Sequence, residues 1–386
     1  MKIMIVAIEP SADAIGAAVM ASMADQDPDV SFFGCGGVQM ATQGLVSAFP
    51  VEDFAVMGFS DVAGVYFKAR RAVAELTKLA EKEEVDAVVF VDGWAFSRLC
   101  AERLKRHVPA IKRYKLVAPQ VWASRPQRMD FVKAHFDGVL TLYPFEAPMF
   151  SEAGVPARFF GNPNFQTAFA NRGDSERFRA HHGVFDEPLL ALLVGSRRHE
   201  VKRHLELFVE TAKRVRDDVP RLKIVLAPAP PVADLTRDLL SALDTTDIDD
   251  LLIFASPEEK FDAFAAADAA LAVSGTVSTE LAINATPMVV AYRVDPLTAY
   301  WARRVMTAKY VSMVNIALDE PLIPEIIQED ATTENLADAL LSLLLNPEAA
   351  DHQRLGFERA IDMLEVDGPP AAEIAATQIL QWIQES

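Results

Sequence analysis

Short apolar runs and amphipathic stretches alternate along the whole chain. The apolar runs predict buried strands at Ile3–Ile8, Ala87–Val91, Lys115–Ala118, Gly138–Leu142, Leu189–Val194, Lys223–Ala227, Leu251–Ala255, Ala269–Val273 and Met288–Tyr292. The stretches between them, for example Ala69–Glu83, Val201–Arg216 and Glu334–Leu345, carry apolar residues at helical spacing. Such alternation is typical of parallel sheets covered by helices on both faces, so the pattern predicts an α/β fold.

The alternation pauses near Asn171–Asp174 and restarts with a new apolar strand. We therefore expect two Rossmann-like domains, residues 1–172 and 173–350. A C-terminal helical segment, residues 351–386, is expected to pack back on the body or on a partner copy. Ligands of open parallel sheets bind at the carboxyl ends of the strands, so we expect the strand ends of both domains to line one cleft.

Composition and charge restrict the class of protein. The 386 residues are 51% hydrophobic and 24% charged, as in a globular protein, and the net charge of −18 argues against nucleic acid as a partner. The sequence has no apolar run long enough to cross a membrane, and Met1–Ala7 predicts a first strand rather than a signal peptide. The two cysteines indicate neither a disulfide framework nor a metal site. We expect a cytoplasmic protein.

One turn of the second domain has the residues of a phosphate site. Ser274-Gly275-Thr276 follows the predicted strand Ala269–Val273 and opens a helix that carries Glu280. Backbone N–H groups at the start of a helix bind phosphate, and a carboxylate one turn later is placed to bind sugar hydroxyls. The alternative is a helix start that its own Ser and Thr residues cap.

A second turn in the same domain has similar chemistry. Gly195-Ser196-Arg197 follows the strand Leu189–Val194 and precedes a helix. A glycine-containing turn of this kind can bind a pyrophosphate through backbone N–H groups, and an arginine adds charge-assisted hydrogen bonds. The alternative is surface charge near a helix start, although cations are disfavoured at that end of a helix unless an anion is bound.

Polar residues also follow the first strands of the N-terminal domain. Glu9, Ser11 and Asp13 come directly after the first strand, and Asp92 follows the strand Ala87–Val91. Carboxylates at the carboxyl edge of a sheet can act as general bases on a bound substrate. Each of these carboxylates has a structural alternative, as a cap of the helix that follows it.

Taken together, these motifs make the chain resemble one known family, the lipid-A-disaccharide synthases. The matching segments are Glu9–Asp13, Phe33–Met40, Phe54–Val62, Gln120–Ala123 with Arg125, Tyr143–Glu146, Gly195–Arg197 with Glu200, Ser274–Thr276 with Glu280, Pro287–Arg293, Lys309–Asn315 and Gln328-Glu329. Their order and spacing follow the family nearly from end to end. The resemblance implies the GT-B fold, in which two Rossmann-like domains face each other across a cleft and C-terminal helices follow.

The resemblance also implies an inverting hexosyl transfer between two acylated sugars. The family's donor is UDP-2,3-diacylglucosamine and its acceptor is 2,3-diacylglucosamine 1-phosphate, and the products are the β-1,6-linked disaccharide phosphate and UDP. The residues implied to bind substrate are Ser11, Asn162, Gly195, Ser196, Arg197, Ser274, Gly275, Thr276, Glu280 and Asn315. Helix N-termini and an arginine can stabilise the charge on departing UDP, so no metal or cofactor is implied.

The chain departs from the family's pattern on the acceptor side. The family has a strand end of the form Gly-x-Asp-x-Pro-Asp-Phe-Asn, whose second Asp is the proposed general base. Here Asp92 stands for the first Asp, but Trp94 replaces Pro and Ala95 replaces the second Asp. The family's Gly-His-Pro reads Gly161-Asn162-Pro163. The candidate catalytic residues are therefore Asp92, Glu9 and Asp13.

The segment Phe54–Arg71 joins an apolar surface to a cluster of cations. An apolar face flanked by cations is typical of an element that docks on a membrane surface, and the family meets its acylated substrates there. The predicted docking residues are Val56, Met57 and Phe59. The alternative is an ordinary pair of core helices. We also expect a homodimer, because the C-terminal helices resemble those that pack across to a second copy in the family.

Three functions remain open at the level of the sequence. An acylated-sugar glycosyltransferase releases UDP only when an acceptor is present. An epimerase or hydrolase of UDP-sugars on the same fold releases UDP without an acceptor, but the additional acid and base residues it needs are not evident. A catalytically impaired or repurposed UDP-sugar-binding paralogue, which Ala95 and Asn162 favour, binds UDP without turnover. The resemblance favours the glycosyltransferase.

Overall fold

The chain divides into two compact units in a computed structural model that describes residues 1–51, 54, 62–248 and 251–385. Unit 1 comprises Met1–Pro163 and Gly368–Ser386, and unit 2 comprises Asn164–Asp367. The chain enters unit 2 before the expected change at residues 172 and 173. It returns to unit 1 at Gly368, so the predicted C-terminal segment 351–386 is shared between the units.

Unit 1 is built on a six-stranded parallel sheet in the order β2-β1-β3-β4-β5-β6. Its strands are β1 (Lys2–Val6), β2 (Ser31–Cys35), β3 (Ala87–Val91), β4 (Lys112–Leu116), β5 (Gly138–Thr141) and β6 (Ala157–Phe159). Its helices include α1 (Pro10–Gln26), α2 (Val38–Thr42), α3 (Val62–Glu83), α4 (Trp94–His107), α5 (Arg128–His135) and α6 (Glu146–Glu152). Side chains of β3 alternate between two apolar cores, one on each face of the sheet, which explains its uninterrupted apolar sequence.

Unit 2 repeats this architecture with a six-stranded parallel sheet in the order β12-β11-β10-β7-β8-β9. Its strands are β7 (Leu189–Leu193), β8 (Lys223–Leu226), β9 (Leu252–Phe254), β10 (Ala269–Val273), β11 (Met288–Tyr292) and β12 (Glu325–Ile327). Its helices include α7 (Pro163–Ala170), α8 (Ser175–His182), α9 (Arg198–Asp218), α10 (Ala233–Leu240), α11 (Lys260–Ala266), α12 (Thr276–Ile283), α13 (Pro296–Val305), α14 (Met313–Leu318), α15 (Thr333–Leu345) and α16 (Pro347–Met363). The predicted α/β class with parallel sheets is thus confirmed.

The last helix, α17 (Ala371–Gln384), belongs to unit 1. Its Trp382 ring stacks on Tyr114 of β4, with 5.3 Å between the centroids. Gly138 makes room for this ring, since a Cβ at that position would lie 2.9 Å from a Trp382 ring carbon. Thr377 Oγ1 also donates to Gln26 Oε1 of α1 at 3.0 Å. The helix therefore covers one face of the unit 1 sheet.

Strand boundaries differ from the prediction where strands are short or charged. The sequence pattern did not reveal β2, β6 and β12, because two of them have three residues each and β2 includes Gly34. β4 begins at Lys112 rather than Lys115, because the charged start Lys112-Arg113 interrupts the apolar run. Within the described ranges, no helix is long and apolar enough to cross a membrane.

Candidate functional site

The strand order reverses once in each sheet, and the predicted motifs lie at these points. In unit 2 the chain proceeds from β7 to β8 and β9 on one side and then places β10, β11 and β12 on the other, so β7 and β10 are neighbours. In unit 1 the corresponding neighbours are β1 and β3. Open α/β sheets bind ligands beside the carboxyl ends of such strands. The turns that follow these four strands are therefore the candidate site.

The turn after β10 presents its backbone openly. Gly275 has φ 146°, a conformation that favours glycine, and no atom lies within 4 Å of where its Cβ would be. Thr276 is exposed. Ser274 Oγ donates to the carbonyl oxygen of Val311 at 2.8 Å, and Ser278 Oγ donates to that of Gly275 at 2.9 Å. Two hydroxyls thus fix the turn while its outer surface stays accessible to a ligand.

Glu280 lies one turn further along α12 and forms an ion pair. Its Oε2 is 2.7 Å from Nζ of Lys260, the first residue of α11, and Glu280 itself is buried. The neighbouring Thr279 hydroxyl is buried and has no hydrogen-bond partner within the described residues. Lys260 could not be predicted as part of the site, since nothing in its local sequence distinguishes it from a solvated lysine at the start of a helix.

The turn after β7 differs from the expectation in one respect. The backbone N–H groups of Ser196 and Arg197, expected to bind pyrophosphate, donate instead to Oε2 of Glu200 at 3.0 and 3.1 Å. Gly195 has φ 104°, and a Cβ there would lie 2.6 Å from the same Glu200 oxygen. The Arg197 guanidinium pairs with Glu200 Oε1 at 3.1 Å but its side chain is 70% exposed. Arg197 therefore remains accessible to an anion although its N–H group is occupied.

His204 connects this turn to the end of β11, which the sequence analysis did not foresee. It is fully buried, its Nδ1 lies 2.8 Å from the carbonyl oxygen of Glu200, and its Nε2 accepts the N–H of Arg293 at 2.9 Å. This pattern requires the neutral tautomer with the proton on Nδ1. Burial lowers the pKa of His204, which favours the same neutral form. The sequence held one indication of this contact: His204 follows Glu200 by four residues, so the two lie on the same face of α9.

Asn315, predicted to bind substrate, lies in a buried hydrogen-bond network behind the turn. Its side chain is fully buried, and its Nδ2 donates to Ile323 O at 2.9 Å and to Glu325 Oε1 at 3.0 Å. Its Oδ1 accepts the N–H of Ile323 at 2.9 Å. Glu325 also accepts the N–H of Val311 at 2.9 Å. This network supports the loop that accepts the Ser274 hydroxyl, so Asn315 contributes to the position of the turn, and its contact with a ligand stays a prediction.

In unit 1, Glu9 follows β1 and Asp92 follows β3. Asp92 and Gly93 both adopt left-handed conformations, with φ 47° and 52°. The Asp92 N–H donates to Leu116 O at 2.9 Å, and its carbonyl oxygen accepts from Ser97 Oγ at 2.8 Å. Gly93 is the N-cap of α4, and no side chain caps that helix. The structural alternative for Asp92, a carboxylate that caps α4, is therefore not observed.

A buried lysine lies beneath this turn. Lys115 of β4 is 1% exposed, and its Nζ donates to three backbone carbonyl oxygens, those of Phe90, Asp92 and Leu116. Burial lowers the pKa of Lys115 to about 7, while the negative charges of Asp92 and Glu9 act in the opposite direction. From the sequence, this lysine is predicted only as the start of an apolar strand. Its position at the carboxyl edge makes it part of the site.

Asp13 does not lie open to a substrate. Its carboxylate accepts the N–H groups of Gly37 at 2.7 Å, Gln39 at 2.9 Å and Met40 at 3.1 Å, and it is 5% exposed. These bonds hold the start of α2, so Asp13 caps a helix other than α1, in which it lies. Its role as a general base stays a prediction. Ser11, by contrast, is exposed in the first turn of α1.

Two further strand ends of unit 1 carry polar groups. Asn162 follows β6 and is 8% exposed. After β5, the buried Glu146 accepts the indole N–H of Trp122 at 2.8 Å and the backbone N–H of Tyr143 at 3.1 Å. Burial raises the pKa of Glu146 to about 7. In the sequence Glu146 is only part of a motif that matches the family, and its burial beside Trp122 becomes visible only in the fold.

The predicted docking residues Val56, Met57 and Phe59 lie outside the described residues. Of their neighbours, Phe54 packs in the core, with its ring 5.7 Å from that of Phe49. Tyr66 and Phe67 at the start of α3 are 46% and 64% exposed. The described part of the segment thus contains both core and exposed aromatic side chains.

One group of potential metal ligands occurs among the described residues. Ligand atoms of His181, His182 and Glu259 lie within 4.8 Å of one another. They belong to α8 and to the turn before α11, and none of them follows β7 or β10. We assign them no part in the site.

Comparison with known proteins identifies the family to which this chain is similar. The model of the lipid-A-disaccharide synthetase family matches residues 3–379. A lipid-A-disaccharide synthase of Rhodospirillum centenum is 37% identical over 383 residues, which cover 99% of this chain and 94% of that protein. The synthase of Ruegeria pomeroyi is also 37% identical, over 385 residues that cover 98% of this chain and 95% of that protein.

Solved structures share the fold at much lower identity. The UDP-GlcNAc 2-epimerase of Neisseria meningitidis, bound to UDP-GlcNAc, has a TM-score of 0.59 at 12% identity and covers 99% of this chain and 100% of its own. The S. aureus MnaA–UDP structure has a TM-score of 0.60 at 13% identity and covers 98% of this chain and 94% of its own. These likenesses confirm the GT-B type of fold. By its nearly full-length family match and relatives at this identity, the chain belongs to the lipid-A-disaccharide synthetase family.

Proposed function

We propose that this glycosyltransferase moves 2,3-diacylglucosamine from its UDP conjugate to 2,3-diacylglucosamine 1-phosphate or a related acceptor. The products are a β-1,6-linked disaccharide phosphate and UDP. The observation that carries the proposal is the placement of two glycine turns, at Gly195 and Gly275, after the neighbouring strands β7 and β10 of a chain whose family performs this reaction. Unit 2 therefore corresponds to the domain expected to bind the UDP-sugar. Unit 1 corresponds to the domain expected to bind the acceptor.

Unit 2 offers groups suited to a nucleotide diphosphate. α12 begins at the accessible turn of Gly275 and Thr276, and the positive end of a helix favours phosphate. The exposed guanidinium of Arg197 supplies a cation for the charge that develops on departing UDP. Glu280 is placed one turn later to accept sugar or ribose hydroxyls. Since Lys260 neutralises it, this carboxylate adds little repulsion toward the phosphates.

Unit 1 offers a base for the acceptor. The attacking hydroxyl must lose a proton as it bonds to the anomeric carbon, and the C–O bond to UDP breaks with its electron pair leaving on the phosphate oxygen. With Ala95 in place of the family's Asp, Asp92 is the carboxylate we assign to this step. Its carboxylate has no hydrogen-bond partner within the described residues, and Lys115 and Ser97 fix its backbone. Glu9, next to it across the β1–β3 reversal, is the second candidate.

Cellular context follows from the substrates. Both carry acyl chains, so we propose that the protein works as a cytoplasmic enzyme peripherally bound to the inner face of the membrane. The exposed rings of Tyr66 and Phe67, in the same sequence segment Phe54–Arg71 as the predicted docking residues, support contact with lipid. A homodimer remains part of the proposal and is tested by the mass of the protein in solution.

Acceptor-dependent release of UDP tests the proposal. UDP is measured in mixed micelles that contain the donor, with and without the acceptor, for the native chain, Asp92→Asn and Ala95→Asp. We expect acceptor-dependent release by the native chain and a loss of about 10²- to 10⁴-fold in Asp92→Asn, the usual effect of removing a general base. Release without acceptor would support an epimerase or hydrolase. UDP binding without release, with activity gained by Ala95→Asp, would support the repurposed paralogue.

A further inference from the structure

A pocket of unit 1 is lined by three arginines and two aromatic rings. Its volume is about 330 Å³, and its lining consists of Trp94, Arg98, Arg125, Gln127, Arg128 and Phe131. These residues belong to α4, to the segment after β4 and to α5. β3 and β4 are neighbours in the sheet, and Trp94 comes two residues after Asp92. The pocket therefore adjoins the turn to which we assign the catalytic carboxylate.

The three arginines have no acidic partner. The chain has 55 acidic residues against 37 lysines and arginines. Elsewhere in the described part, arginines such as Arg177, Arg303 and Arg359 form ion pairs with carboxylates. None of the three pocket arginines does so among the described residues. Burial and the charge of Arg125 lower the pKa of Arg128, as expected for cations held near each other. A bound anion would relieve this repulsion.

Aromatic rings hold two of the guanidinium groups in place. The Trp94 and Phe131 rings contact each other edge to face, with 5.7 Å between the centroids. Arg128 lies over the Trp94 ring at 5.4 Å and Arg98 over the Phe131 ring at 5.3 Å. A guanidinium stacked on a ring keeps its N–H groups directed outward and loses less freedom when it binds a ligand. The guanidinium groups of Arg98 and Arg128 are thus preorganised for a ligand.

Backbone geometry adds to the positive field. α4 begins at Trp94 and α5 at Arg128, so both helices place their positive ends at the segment that lines the pocket. A cation in the first turn of a helix is unfavourable unless an anion compensates it. Arg125 adopts φ 52°, a strained conformation for a residue other than glycine, and such strain is often retained at binding sites.

We propose that this pocket binds the phosphate monoester of the acceptor sugar. The inference rests on the proposed function and deepens it by naming the residues that recognise the acceptor. A phosphate monoester carries a charge of about −1.5 to −2 at neutral pH, and arginine matches its oxygens with paired hydrogen bonds. Anchoring the phosphate there holds the acceptor beside Asp92. The same chemistry exists in an anionic phospholipid headgroup, and the test separates the two sources.

Binding measured without donor tests the proposal independently of turnover. The dissociation constants of 2,3-diacylglucosamine 1-phosphate and of its dephosphorylated form are measured in neutral detergent micelles. The proteins are the native chain, Arg98→Gln, Arg128→Gln and the matched control Arg106→Gln. Arg106 is an exposed arginine of the same helix as Arg98 and pairs with Glu102 outside the pocket. Thermal unfolding of each variant shows that it is folded.

We expect the native chain to prefer the phosphorylated sugar and each pocket variant to lose about 10- to 100-fold of that preference. Arg106→Gln should keep it, and all variants should bind the dephosphorylated sugar alike. An unchanged preference in both pocket variants would overturn the proposal. It would equally be overturned if the variants lost binding to phosphatidylglycerol vesicles, relative to phosphatidylcholine vesicles, but kept the sugar preference. Failure of UDP release would contradict the proposed function and leave this binding result standing.

Discussion

The ammonium group of Lys115 donates a hydrogen bond to the backbone carbonyl oxygen of Asp92, from beneath the turn that follows β3. Lys115 is 1% exposed, so its amino group is held in the interior of unit 1 directly under the proposed base. Its other two bonds go to the carbonyl oxygens of Phe90 and Leu116, at 3.3 and 3.2 Å. A lysine is seldom buried in this way unless its charge has a use. We infer that it positions the Asp92 turn.

Replacing Lys115 tests this positioning role. In Lys115→Met we expect kcat to fall by on the order of 10²-fold, the size of effect that misplacing a reacting group produces. Burial lowers the pKa of Lys115 to about 7 from 10.5, so the folded state resists the proton. The native chain therefore loses unfolding free energy as the pH falls from 10.5 to about 7, because the unfolded chain binds the proton more readily. Lys115→Met has no such group, so its unfolding free energy relative to the native chain should rise as the pH falls over that range.

Lys112→Met, on the same strand, is the matched control for both measurements. Kinetics of UDP release and urea unfolding between pH 7 and 10 provide the data. If Lys115→Met kept full activity, the turn would not need its ammonium group. If the difference in unfolding free energy did not vary with pH, burial would not lower the pKa of Lys115.

The pairing of Glu280 with Lys260 predicts how strongly UDP binds. Glu280→Gln keeps the shape of the side chain but removes its charge, and loss of a charged hydrogen bond costs about 1.5–3 kcal/mol. We expect the dissociation constant of UDP to rise by about 10- to 100-fold, as measured by calorimetry. Glu210→Gln on α9, a half-exposed carboxylate that pairs with Lys213 in the same unit, is the control. Equal affinities for UDP would remove Glu280 from the site.

The buried His204, which links the turn after β7 to the end of β11, should make the stability of the protein sensitive to acid. Because burial lowers its pKa below 6.5, the folded state binds the proton less well than the unfolded state. Stability is therefore complete above pH 6.5 and is lost as the pH falls through the folded pKa. His204→Gln should show less loss of unfolding free energy between pH 7 and 5 than the native chain, in urea titrations. His352→Gln, an exposed histidine of α16, should behave as the native chain does. The same slope in His204→Gln would contradict this account.

Glu146 predicts the opposite dependence in unit 1. Burial raises its pKa to about 7 from 4.5, so the folded state favours the proton. Its contribution to stability is complete below pH 4.5 and is lost as the pH rises through about 7. Glu146→Gln should remove that loss, so its unfolding free energy relative to the native chain should increase between pH 5 and 8. Glu152→Gln, on the same helix, is the control. A difference that stayed constant with pH would show that Glu146 ionises normally.

Much of the fold could be predicted because buried parallel strands have uninterrupted apolar sequences. Leu189–Leu193 and Ala269–Val273 are completely buried and were predicted on that basis. The early start of β4 was missed because the charged pair Lys112-Arg113 interrupts the apolar run, and only the fold shows that Arg113 pairs with Asp137 at 3.2 Å. Local sequence does not contain such long-range partners.

The sequence predicted where the candidate residues lie along the sheet. It did not predict which of their polar groups bond within the protein and which are accessible to a ligand. Glycine turns after apolar strands located Gly195 and Gly275 correctly at one edge of the sheet. Whether a polar group faces a ligand or the protein depends on residues far away in sequence. Asp13 is satisfied by the start of α2, and Asn315 by residues eight to ten positions later. The importance of Lys115 likewise appears only when three carbonyl groups converge on it.

The structure of the product tests the central claim most directly. Donor labelled with ¹³C at the anomeric carbon is incubated with acceptor and the native chain, and the lipid products are analysed by NMR and mass spectrometry. We predict one β-1,6-linked disaccharide phosphate for each UDP released, with the label at the new β-linkage. Labelled free 2,3-diacylglucosamine, or labelled UDP-sugar with an inverted ring carbon, in place of the disaccharide would contradict the assignment of a glycosyltransferase.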